Sequence, residues 1–254
     1  MCLIVFAWRP SQAQPFILAA NRDEFYARPT LPLAQWEDAP EVYAGRDLEA
    51  GGTWLGINAN GRFAALTNIR EPGKPPGRRS RGELVARFLT SDVSVEAYLQ
   101  DVAARAAEYS GFNLIVGDHE QLHFLHSGDP EPRRLAPGLY GVSNAGLDTP
   151  WPKLVKAKAA LSAQLQDPRP EGLFGLLADG TPAPEAELPS TGVGIATEKL
   201  LSSVFIASPN YGTRASTVLV ANADGSRRLI ERSFGPCGGR LGEVDLEIWP
   251  TSGV

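Results

Sequence analysis

The sequence predicts an α+β protein of mainly antiparallel strands, with helices grouped on the outer faces of the sheets. Three observations lead there. Short β-rich segments come in pairs joined by turn signals, and segments of helical spacing come in groups instead of alternating one for one with strands. In addition, 254 residues that are 43% hydrophobic and 21% charged are enough to bury one substantial core, so one domain spanning 1–254 is expected.

Leu3 to Trp8 and Phe16 to Ala20 are apolar and β-rich, and the polar Ser11–Gln14 turn between Pro10 and Pro15 makes them an opening hairpin. A second hairpin pairs Trp54 to Ile57 with Phe63 to Thr67, because Asn60-Gly61 supplies the positive φ angles of a tight turn. Glu71 to Gly82, rich in proline, glycine and basic residues, reads as an exposed loop. Ser80 with Glu83 forms a capping-box signature, and Leu84, Val85, Phe88 and Leu89 then recur at helical spacing. A further helix is expected from Val95 to about Tyr109, since Val95, Tyr98, Leu99, Val102 and Ala106 share a face. Strands resume at Phe112 to Val116 and Leu122 to Leu125 around a polar turn. Lys153 to Leu165 and Leu173 to Leu177 read as helices, and Asp179 to Gly194 as a loop. Val204 to Ala207, Val218 to Ala221 and Leu229 to Arg232 complete the expected strands, with Asp224-Gly225 turning the last pair.

A formal charge of -5 denies the chain the broad cationic surface that sequence-independent phosphate binding needs, so nucleic acid is not an expected partner. The apolar run Leu3 to Trp8 is far short of a bilayer span and no positive stretch precedes it. A cytoplasmic protein without membrane insertion is the expectation. Cys2 and Cys237 lie at opposite ends without a CxxC pair, which indicates neither a disulfide framework nor a zinc knuckle.

The sharpest chemical feature is Cys2, directly behind Met1 and ahead of an apolar strand. Its small side chain permits methionine removal, after which one residue carries a thiol and a free α-amine. Their ordinary pKa values, about 8.5 and about 8, allow proton exchange near neutral pH, so nucleophile and base sit together. Position alone equally describes a small buried hydrophobe. Asn21-Arg22-Asp23-Glu24 follows the second strand, and a hairpin can return Asp23 to the side of Cys2. A carboxylate there can orient an ammonium, and an arginine can stabilise a thiolate; the same residues also suit a solvated turn. Asn68 and Asn144 end apolar segments, where an amide can donate to a developing oxyanion or merely close a turn. Arg214, in Tyr211-Gly212-Thr213-Arg214, offers a cation among hydroxyls.

Together these segments resemble the NRDE family, also called the transport and Golgi organisation 2 family. The residues that carry the likeness are Met1-Cys2-Leu3-Ile4, Asn21-Arg22-Asp23-Glu24, Arg28-Pro29-Thr30, Ala44-Gly45-Arg46-Asp47, Gly51-Gly52-Thr53-Trp54-Leu55-Gly56 and Leu66-Thr67-Asn68, continued by Arg81-Gly82-Glu83-Leu84, Phe112-Asn113-Leu114, Val142-Ser143-Asn144 and Tyr211-Gly212-Thr213-Arg214. The resemblance implies an N-terminal-nucleophile hydrolase fold, a four-layer αββα sandwich of two antiparallel sheets. By similarity to the linear-amide hydrolases of that clan, Cys2 corresponds to the nucleophile, Asp23 to the amine-orienting acid, Asn68 and Asn144 to the two asparagines, and Arg214 more loosely to a late arginine. Those enzymes carry an arginine three residues before the acid, where this chain has Ala20 and its own arginine is Arg22.

The resemblance thus implies a hydrolase or acyltransferase acting on a linear amide or thioester, with a small-molecule acyl substrate as partner. The alternative is a non-catalytic carrier of haem, lipid or acyl-coenzyme A on the same fold. No cofactor or metal is expected. His119, His123 and His126 lie on a hairpin reading, where four-residue spacing does not bring two rings to one ion. Gly51-Gly52-Thr53 lacks the lysine and spacing of a phosphate loop, and Arg78-Arg79-Ser80-Arg81 reads as a solvated loop able at most to grip a phosphate. Trp36, Trp54 and Trp151 suit either an apolar pocket or core packing.

Overall fold

A computed structural model describes residues 2–250. The chain runs through β1 (Cys2–Trp8), β2 (Phe16–Phe25), β3 (Thr30–Gln35), β4 (Val42–Asp47), β5 (Leu55–Asn58) and β6 (Phe63–Asn68), then α1 (Gly82–Leu89) and α2 (Val95–Ala104). It continues through β7 (Phe112–Gly117), β8 (Leu122–His126), β9 (Asp129–Arg134), β10 (Gly138–Val142), α3 (Pro152–Gln164), α4 (Pro170–Leu177), α5 (Ile195–Leu201), β11 (Tyr211–Ala221), β12 (Arg227–Phe234) and β13 (Arg240–Ile248). One sheet has the order β10-β1-β2-β11-β12-β13, the other β3-β4-β5-β6-β7-β8-β9, and every pairing within them is antiparallel.

The alternation of side chains along each strand makes this a four-layer stack. Even-numbered residues of β1, Ile4, Phe6 and Trp8, join Ile57, Phe63, Ile115 and Leu219 in a core between the sheets. Odd-numbered ones, Leu3, Val5 and Ala7, pack on Leu154, Leu161 and Phe174 of α3 and α4. Ala64, Leu66 and Leu114 of the second sheet pack outward on Leu84, Phe88 and Leu99 of α1 and α2. Among the described residues, no helix is long and apolar enough to cross a membrane.

Several expectations are corrected. The capping box at Ser80 and Glu83 does not form: α1 begins after Arg81 without a side-chain cap, and Glu83 instead pairs with Arg79 and accepts from Tyr109 Oη. The second helix stops at Ala104, followed by a single 3-10 turn, Ala106–Glu108. Val204 to Ala207 is not a strand; it follows α5, and only Ala207 bridges to Gly212.

Candidate active site

The geometry of the site follows from one register. β1 and β2 pair Trp8 with Phe16, which sets Cys2 opposite Arg22. Directly opposed residues share a face. Cys2 and Arg22 therefore look into the space between the sheets, as Ile4 and Ala20 do, while Asp23 looks the other way, toward α3. No slip of register is needed to bring the Asn21–Glu24 segment to the start of β1.

Cys2 is 8% exposed and opens onto a small cleft of about 120 Å³ at the mouth of the sandwich, lined also by Arg22, Asp23, Trp54, Asn68 and Arg81. Ser143 Oγ donates to the Cys2 carbonyl (2.9 Å) and fixes the backbone there. Burial pushes the Cys2 thiol pKa up, and the Asp23 charge adds to this. Arg22 and the Asp23 backbone N–H, which bonds to the sulfur, oppose it. The thiol thus needs a base before it can act as a nucleophile.

Arg22 is 6% exposed, with its guanidinium carbon 4.2 Å from the centre of the Trp54 ring and Nη2 3.8 Å from Asp47 Oδ2. Asp47 is engaged more closely by Arg28 Nε at 2.7 Å, and Arg22 Nη1 donates to Thr30 Oγ1 at 3.4 Å. Asp23 is buried, and Thr213 Oγ1 donates to its Oδ1 at 2.7 Å. Burial raises its pKa, and Lys153, Thr213 and Arg22 draw it back. Lys153, at the start of α3, is itself 2% exposed; burial lowers its pKa and Asp23 raises it. The lysine thus places a buried amine close behind the acid.

The two asparagines differ. Asn68 ends β6 and lines the Cys2 cleft. Asn144 is buried behind it, its Nδ2 donating to the Asn68 carbonyl (2.8 Å) and its own carbonyl accepting from Arg70 N–H (2.8 Å). Asn144 thereby holds Asn68 in place. Arg70 is anchored in turn by a buried ion pair with Glu198 of α5. Arg214 does not line the Cys2 cleft. It donates to the carbonyls of Phe25 and Arg28 and borders a neighbouring recess of about 270 Å³ that shares Arg22 and Trp54 with the cleft.

Sequence reading missed two site residues, Lys153 and Arg81. Arg81 is not in a solvated loop: it lines the Cys2 cleft, donates to Gly111 O at 3.1 Å, and its pKa is lowered by burial while the nearby Cys2 charge opposes that. Arg81 stands one residue before Gly82, where Gly52 packs so closely that a Cβ on Gly52 would overlap the Gly82 backbone. The tryptophans divide as well. Trp54 walls the cleft, Trp36 lies in the outer core with its Nε1 donating to Ala44 O, and Trp151 is stacked by Arg70. His119 is on the exposed β7–β8 turn, while buried His123 bonds Gln121.

Two antiparallel sheets stacked between helices, with a thiol at the open end of a central strand, define an N-terminal-nucleophile hydrolase-like fold. Solved structures of this type superpose over most of the chain. The N-acylethanolamine-hydrolyzing acid amidase ortholog of Caenorhabditis elegans does so with TM-score 0.52, 12% identity and coverage of 86% of this chain and 92% of that one. A mutant conjugated bile acid hydrolase from Clostridium perfringens gives TM-score 0.56, 7% identity, and 98% and 92% coverage. At such identities the likeness is one of fold. The chain itself belongs to the Transport and Golgi organisation 2 family, whose model matches residues 1–236. The Transport and Golgi organization protein 2 homolog of Bos taurus is 40% identical over 92% of this chain and 93% of its own length. The Drosophila melanogaster Transport and Golgi organization protein 2 is 31% identical, with 92% of each chain covered.

Proposed function

We propose that the chain is an N-terminal cysteine hydrolase or acyltransferase of linear amides or thioesters, acting after Met1 is removed. The observation that carries this reading is the β1–β2 register, which turns the Cys2 thiol into a cleft with Arg22 and Asn68 on its walls and Asp23 at its base. Removal of Met1 leaves the α-amine on Cys2. That amine takes the thiol proton, the sulfur attacks the carbonyl carbon, and the developing oxyanion accepts from the Asn68 amide held by Asn144. The resulting ammonium, oriented by Asp23, gives its proton to the leaving nitrogen or thiolate as the scissile bond breaks. Water then adds to the acyl thioester, with the amine again as base, and releases the acid; an amine acceptor in its place gives the transferase outcome.

The recess beyond Arg22 and Trp54, walled by Leu31, Pro32, Phe234 and Val244, suits an apolar acyl arm. Turnover of N-acyl amides and acyl thioesters by the wild type and by Cys2→Ala tests the proposal. Cleavage by the wild type, abolished in a folded Cys2→Ala protein, is expected; equal rates in both would refute it.

A further inference from the structure

A cavity of about 880 Å³, far larger than the Cys2 cleft, lies at the other end of the sandwich. β1 carries Cys2 at one end and the cavity-lining Trp8 at the other, roughly 20 Å apart for a strand of this length. Its apolar walls are Trp8, Phe16, Ile57, Phe63, Leu122 and Leu219, drawn from both sheets and continuous with the core between them, while polar residues of the surrounding turns complete the lining. A volume of this size in apolar walls is that of a ligand site for a molecule with a long hydrocarbon part.

The cavity is also lined by a cation that forms no ion pair among the described residues. Arg227, at the start of β12, lines it, and among the described residues its buried Nη1 has no hydrogen-bond partner and no carboxylate forms an ion pair with it. Its Nη2 lies over Gly61, where a Cβ would be 2.6 Å away, so the glycine turn between β5 and β6 admits the guanidinium. Burial lowers its pKa with no acid opposing the effect. The other charged lining groups are committed elsewhere. Arg9 stacks on Trp8 and donates to Glu120 O; Asp118 accepts from the Glu120 and Gln121 amides; Asp224 accepts from Ser226. A guanidinium nitrogen shut off from water without an acceptor is costly, and an anion placed against the group offsets that cost.

We infer that this distal cavity is a binding site for an amphipathic carboxylate, a long unbranched acyl chain lying among Trp8, Phe16 and Phe63 with its carboxylate on Arg227. The site is separate from the Cys2 cleft and does not rest on the chemistry proposed there.

Isothermal titration of the full-length protein with dodecanoate, dodecanol and acetate, below micelle-forming concentrations, tests it. Dodecanoate is expected to bind with one-to-one stoichiometry, dodecanol at least about tenfold more weakly, and acetate not at all. Arg227→Met is expected to weaken dodecanoate at least about tenfold and leave dodecanol unchanged, with Arg227→Lys recovering part of the loss. Cys2→Ala is expected to bind dodecanoate as the wild type does, so that failure of the catalytic proposal and failure of this one are distinguishable. No binding of dodecanoate, or equal binding of acid and alcohol by the wild type, overturns the inference without recourse to any variant. Unchanged dodecanoate affinity in a folded Arg227→Met protein overturns it too.

Discussion

Glu231 is a carboxyl group in the core between the sheets, and its ionisation is linked to folding. It is 3% exposed, accepts from the Leu33 N–H of the opposite sheet at 2.8 Å, and is reached by Thr217 Oγ1 at 3.4 Å. Burial pushes its pKa from 4.5 up to about 7, against the opposing effects of Leu33, Arg22 and Thr217. In the unfolded chain it ionises near 4.5; in the folded protein it holds its proton to about 7. Between those values the folded state binds more protons, so stability falls as pH rises and the loss is complete above about 7. The gap corresponds to about 3 kcal/mol, of which about 2.5 kcal/mol falls between pH 5 and pH 8. Glu231→Gln keeps an acceptor for Leu33 and removes the titration. Urea denaturation of both proteins at pH 5 and pH 8 isolates this group, because contributions from all others cancel in the comparison. The wild type is expected to lose about 2.5 kcal/mol more than the variant over that interval. Equal pH dependence in the two proteins would refute the reasoning.

Two other substitutions probe the site. Arg22→Met removes one of the charges that, with the N-terminal ammonium, hold the Cys2 thiol pKa down against burial, so alkylation by iodoacetamide at pH 8 is expected to slow by about threefold. The measurement is made in a Cys237→Ser background, because Cys237 is exposed and would dominate the signal; an unchanged rate removes Arg22 from the electrostatics of the Cys2 thiol. Gly52→Ala would put a methyl group into the backbone at the start of α1, and chemical denaturation is expected to show a loss of about 1–3 kcal/mol. Wild-type stability in that variant would mean that the Gly52–Gly82 approach does not hold α1 and Arg81 in place.

What was legible in the sequence was local. The β1–β2, β5–β6 and β7–β8 hairpins show because each pairs apolar runs across a short polar turn. Four of the strands missed, β3, β9, β10 and β13, are the edges of the two sheets. Edge strands are half solvated and tolerate proline, as Pro32 in β3 and Pro130 and Pro132 in β9 show, so they carry little of the apolar signal. Val204 to Ala207 misleads for the opposite reason: its residues are apolar because Val204 and Ile206 are core, although the chain there is not paired as a strand. At the site, Cys2 and Arg22 converge as residue type and alternation imply, whereas Asn68 reaches the same cleft from the end of β6, where its parity is that of the outward-facing Ala64 and Leu66. The distant partners do not show in sequence, because only tertiary packing brings Lys153 of α3 behind Asp23 or buries Arg81 against the cleft.

Intact-protein mass spectrometry on material purified from its native host, followed by brief incubation with a medium-chain acyl thioester and acid quenching, tests the nucleophile most directly. Catalysis by an N-terminal Cys2 predicts a chain lacking Met1 that gains a single acyl mass, localised by fragmentation to residue 2 and discharged with time. A chain that retains its first methionine, or that acquires the acyl group only at Cys237, would contradict it.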